Sequence, residues 1–165
     1  MKKQAKQLPV LQETGIHPLV EQLDFTRLKH KLMNNDEGEP WSFEQCENGE
    51  REYKRFLTII KLNPQKEIVP TKQMDKFWHS HILDTQAYQR DCMQVFGYFV
   101  HHFPYFGING DEDRANLKRE FEVSKTLYHN TFGEPMEAEA SRCENHPCHV
   151  PSDCACRAAG TCKNE

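Results

Sequence analysis

Apolar residues recur at α-helical spacing through the middle of the chain, and this recurrence restricts the fold more than any other feature. Tyr53, Phe56, Leu57 and Ile60 stand at i, i+3, i+4 and i+7, and Met74, Phe77, Trp78 and His81 repeat that spacing. Tyr88, Cys92, Val95, Phe99 and His102 form a longer stripe, and Leu117, Phe121, Ser124 and Tyr128 form another. Side chains three and four residues apart share a helix face, so each stretch presents one apolar stripe to a common core. The expected fold is all-α, with about five helices in an irregular bundle over residues 17–133.

Local signals place the ends of these helices. Leu19, Val20, Leu23, Leu28 and Leu32 predict a first helix over residues 17–34, followed by the loop NNDEGEP at 34–40. Ser42 with Gln45 reads as a capping box opening the second helix, and Asn48-Gly49 is a point where that helix is expected to break into two pieces. Asn63-Pro64 ends it. Thr71 caps a third helix, and Asp84 either kinks this helix or caps a new one. Residues 96–107 (FGYFVHHFPYFG) hold six aromatics and Pro104 between two glycines, which reads as a helix end and a turn. The acids at 111–113 favour a helix start, and Gly133 a helix end. Residues 1–16 are polar and read as a flexible lead-in. Residues 134–165 lack periodicity and read as an irregular Cys/His-rich tail.

Composition removes several classes of function. The chain has 165 residues, 37% hydrophobic, and carries 21 Lys and Arg against 25 Asp and Glu, a net charge of −4. A phosphate-backbone binder is ordinarily basic, so nucleic acid is not an expected partner. No run of about 18 apolar residues is present, so no membrane span is expected. Lys2, Lys3 and Lys6 precede no apolar segment of the kind a secretory signal needs. A cytoplasmic, reducing location is the expectation, and there clustered cysteines more often bind metal than form disulfides.

The segments EYKRFL (52–57), IVPTKQMDKFWHSHILDTQAYQRDC (68–92) and FGYFVHHFPYFGINGDED (96–113) resemble the glycine-rich domain-containing protein-like family. The order WHSHIL, Tyr88, Asp91-Cys92, His101-His102 carries the resemblance, which runs from Trp41 to Pro135. It implies a mostly helical domain and assigns no reaction. With eight glycines, the chain shows no glycine-rich part.

The histidines within that match are candidate ligands for a transition metal, which needs imidazole, thiolate or carboxylate donors about 2.0–2.3 Å from one point. Asp75 and His79 lie at i and i+4, on one helix face. His79 and His81 do not, since two residues turn a helix by about 200°. A site between helices would collect His79 or His81, His102, and one carboxylate from Asp75, Asp84 or Asp91. The competing reading makes these histidines structural, each bonded to a carboxylate or carbonyl in the core. Cys92, on an apolar stripe, reads as a buried thiol rather than a nucleophile. The aromatic run at 96–107 reads as a plug for the end of the bundle, or as a partner-docking patch.

The tail is the second candidate. Cys143, Cys148, Cys154, Cys156 and Cys162, with His146 and His149 between them, supply the soft and borderline ligands preferred by zinc and copper(I). The paired C-x2-C knuckles of a zinc ribbon are absent, so a redox-active, disulfide-bonded or partner-docking tail stands beside the metal reading. The expected function is a small transition-metal-binding protein, with metal-assisted catalysis as an extension. Its rival is an interaction module with a structural His/aromatic core and an unidentified protein partner.

Overall fold

The computed structural model describes residues 14–35 and 38–136. Residues 1–13 of the predicted lead-in and residues 137–165 of the predicted tail, including every predicted tail ligand, lie outside the described residues. Six helices run through the described residues, with no strand among them: α1 (Pro18–Glu21), α2 (Thr26–Met33), α3 (Phe43–Leu62), α4 (Lys72–Leu83), α5 (Thr85–Val95) and α6 (Asp111–Phe132). None is long and apolar enough to cross a membrane.

The predicted first helix is two. The Asp24 carboxylate accepts the Thr26 N–H at 2.9 Å, a local turn that competes with helix continuation. The break swings Phe25 inward, where its ring meets Tyr53, Phe77 and His81 at centroid distances of 5.0–5.5 Å. The capping box forms as read. Gln45 N–H donates to Ser42 Oγ at 3.1 Å, and Ser42 N–H donates to Gln45 Oε1 at 2.7 Å. The helix then continues through Asn48-Gly49. Gly49 is buried, and a Cβ there would lie 2.7 Å from the Trp41 ring and 3.0 Å from the Phe77 ring. This glycine admits two aromatic rings to the helix backbone; it does not end the helix.

α3 is the central element, with α1, α2, α4 and α6 packed against it. Tyr53, Phe56, Phe77 and Met74 fill the α3–α4 seam, almost wholly shielded from water. α6 is tied to α3 through Tyr128, which donates to Glu52 Oε2 at 2.7 Å and accepts from Arg55 at 2.6 Å.

Asp84 ends α4 and caps α5, its carboxylate accepting the Ala87 N–H at 3.3 Å. The Tyr88–His102 stripe is not a single helix. α5 stops after Val95, and Gly97 takes φ +79°, a left-handed conformation open to glycine at little cost. Residues 98–103 then run as irregular chain. Tyr88 pins them: its hydroxyl donates to the Val100 carbonyl at 2.5 Å while accepting the Trp78 indole N–H at 2.9 Å. This long-range tie fixes where His102 falls relative to α4.

Candidate metal centre

α4 carries the H-x-H motif, and the helix separates its two histidines as its turn requires. His79 shares its face with Asp75, one turn earlier, with Nε2 3.4 Å from Asp75 Oδ2. His102 comes to the same point from the segment after α5. Its Nε2 lies 2.9 Å from His79 Nε2 and 3.1 Å from Asp75 Oδ1. One ligand atom from each of the three residues falls within 4.8 Å of the others. A tetrahedral ion with bonds of 2.0–2.1 Å separates its ligands by about 3.3–3.4 Å. Seating an ion here widens the group by a few tenths of an ångström at most, and half-exposed His79 can yield that much.

Two Nε2 atoms facing each other and a carboxylate are not all satisfied by a single proton. A hydrogen on His102 Nε2 directed at Asp75 leaves no hydrogen between the two rings, and one placed between the rings leaves the carboxylate short. A cation satisfies all three lone pairs at once. Burial lowers the pKa of His79 below its usual 6.5, and His102 adds to this, while Asp75 opposes it. The ring is therefore held neutral at neutral pH, the form that ligates metal. Trp78 backs the group on the core side, its ring 4.7 Å from that of His102.

His81 lies apart from this group. It is 3% exposed. Its Nδ1 is 3.0 Å from the Tyr53 hydroxyl and its Nε2 is 3.1 Å from Asp91 Oδ2. Burial raises the Tyr53 pKa far above the usual phenol value, so Tyr53 stays protonated and donates to Nδ1. The Nε2–H then donates to Asp91. Both ring nitrogens are occupied, and the ring sits edge-on to Phe25, Tyr53 and Tyr88. This is the arrangement of a histidine that organises a core. Asp84 serves as a cap and Asp91 as the partner of His81, which leaves Asp75 as the carboxylate beside His79 and His102. Cys143, His146, Cys148, Cys154, Cys156 and Cys162 lie outside the described residues. Cys46 and Cys92 are free and buried, and burial pushes both thiols up in pKa.

A family profile described as UCP032817-like matches residues 17–130. The chain belongs to the UCP032817-like family. All three members of the Asp75–His79–His102 group, and the His81 network, fall inside the matched region of this UCP032817-like chain. Among relatives, glycine-rich domain-containing proteins 1 and 2 of Arabidopsis thaliana are 31% and 32% identical over 88 residues, 49% of this chain and 10% of each of theirs. The chain thus spans about a tenth of the length of the curated relatives it matches. No solved structure matches it.

Two contributors escaped the sequence reading. Tyr53 was visible only as a core aromatic, though a buried phenol must find a polar partner, and that requirement was the available signal. Tyr88 was likewise read as stripe, and its role in pinning residues 98–103 has no local signature.

Proposed function

We propose that this protein binds a divalent transition metal, zinc or copper, between Asp75, His79 and His102. The observation that carries the reading is the meeting of two imidazole Nε2 atoms and a carboxylate from two separate segments, at separations of 2.9–3.4 Å. The donor set suits the proposal, since imidazole ligates zinc and copper alike and the carboxylate offsets part of the ion's charge. Asp75 also orients both rings. The tail, with Cys143, His146, Cys148, Cys154, Cys156 and Cys162, is proposed as a second, softer site, and a cytoplasmic location accords with two free buried cysteines.

The test is elemental analysis of full-length protein purified without chelator, beside His102→Ala and a form ending at Gly133. About one equivalent retained by the truncated form and lost from His102→Ala supports the helical site. Equal metal content in wild type and His102→Ala overturns it. The interaction-module reading draws on a different observation: Tyr98, Phe99, Phe103 and Tyr105 are exposed on neighbouring positions. Loss of stability without loss of metal in the histidine variants would favour it.

A further inference from the structure

Resting on the metal reading above, we infer that the ion held by Asp75, His79 and His102 keeps a coordination position open to solvent, where it takes an exchangeable anionic oxygen-donor ligand. The donor count comes first. Among the described residues the group contains three ligands, and no fourth His, Cys, Asp or Glu joins it. Structural zinc sites are closed by four protein ligands, whereas three protein ligands and a vacancy characterise sites that bind water or substrate. Two histidines and one carboxylate are also the set used by open mononuclear iron sites.

Burial then gives the vacancy a direction. The Asp75 side chain is 6% exposed, that of His102 15% and that of His79 51%. Trp78 closes the core side against the His102 ring. The group is therefore walled on the Asp75 and Trp78 side and open beside His79, so a fourth ligand arrives from water. Charge selects its class. Two neutral imidazoles and one carboxylate leave a divalent ion with a net charge of about +1, which favours an anion over a neutral donor. A hard oxygen anion, such as a carboxylate or hydroxamate, fits a position that opens to water beside half-exposed His79.

The experiment uses the full-length chain loaded with cobalt(II), whose visible absorption reports coordination. The difference spectrum against His102→Ala isolates the helical site from cobalt held elsewhere. Acetohydroxamate is the probe. A saturable shift of the difference spectrum on titration is the expected result. A spectrum that acetohydroxamate leaves unmoved overturns the inference. A thiolate-to-cobalt charge-transfer band in the difference spectrum does so too, because a cysteine of the chain then fills the fourth position. Both results leave the metal reading standing. A null difference spectrum, with wild type and His102→Ala binding cobalt alike, removes the metal reading and the inference together.

Discussion

The two histidines of the WHSHIL motif should respond to substitution in opposite ways. His79 is half exposed, and its polar contacts are with Asp75 and His102. With His79 itself half exposed and Asp75 keeping its contact with His102, these contacts contribute about 1 kcal/mol, so His79→Ala in the presence of chelator should unfold within about 1 kcal/mol of wild type. Its effect should appear with metal. A ligand at a hundred times its dissociation constant stabilises the native state by about 2.7 kcal/mol, and the variant should lose that increment. His81→Ala removes a buried ring that three aromatic edges surround, and strands the Tyr53 hydroxyl and one Asp91 oxygen. Each buried polar group left unpaired costs about 1–3 kcal/mol, and the cavity adds to this, so about 3–5 kcal/mol is expected. Against a typical total of about 5–15 kcal/mol this can prevent folding. Tyr53→Phe is the gentler form. It leaves Nδ1 of His81 unpaired at a cost of about 1–3 kcal/mol and should keep metal stoichiometry at the wild-type value. The assay is urea unfolding with chelator and with saturating zinc, alongside metal content. The reasoning is refuted if chelated His79→Ala loses as much stability as Tyr53→Phe, or if folded Tyr53→Phe loses its metal.

Other consequences can be measured separately. Gly49→Ala should destabilise by about 1–2 kcal/mol although alanine is the better helix former, since its Cβ meets the partly buried Trp41 ring and the buried Phe77 ring; a gain in urea midpoint would show that Trp41 moves aside freely. His17 caps α1 by accepting the Leu19 N–H on Nδ1 at 3.2 Å, and burial, with help from Lys61, lowers its pKa below 6.5. The unfolded chain therefore binds this proton more readily, so the contribution of His17 to stability is complete above pH 6.5 and lost as pH falls from there through the lowered folded value. His17→Asn, which keeps a capping oxygen, should flatten that part of the pH–stability curve, and an unchanged slope would count against the assignment. Cys46 and Cys92 should resist alkylation at neutral pH until the protein unfolds, because burial both shields the thiols and raises their pKa; peptide mapping after a timed iodoacetamide pulse reads this directly. Copper(II) should quench the fluorescence of Trp78 in a Trp41→Phe background, with the quench abolished by His102→Ala, since the indole lies 4.7 Å from the His102 ring.

Much of this protein is readable from residues a few positions apart, because the physics involved acts at that range. Ser42 with Gln45, Thr71, Asp84 and Gly133 mark helix ends through hydrogen bonds or dihedral angles confined to one turn. The i, i+3, i+4, i+7 stripes name the buried faces of α3 and α4, and the helical turn alone separates His79 from His81 and unites His79 with Asp75. Periodicity misleads where a local bond or a close contact overrides it. Asp24 breaks the first helix and Gly97 ends α5 inside an unbroken stripe; at Gly49 it is the Asn-Gly breaker signal that misleads, because two rings need the space.

Tertiary structure alone decided which groups meet. His102 is 23 residues beyond His79, on a segment without regular structure, and it reaches Asp75 because Tyr88 fastens Val100 while holding Trp78. His81 becomes a core histidine because α3 delivers Tyr53 and α5 delivers Asp91 to its two nitrogens. A helix pattern gives the face a side chain points toward. The partner waiting there depends on how neighbouring elements pack and where each connecting segment is tied, and those distances have no imprint in local sequence.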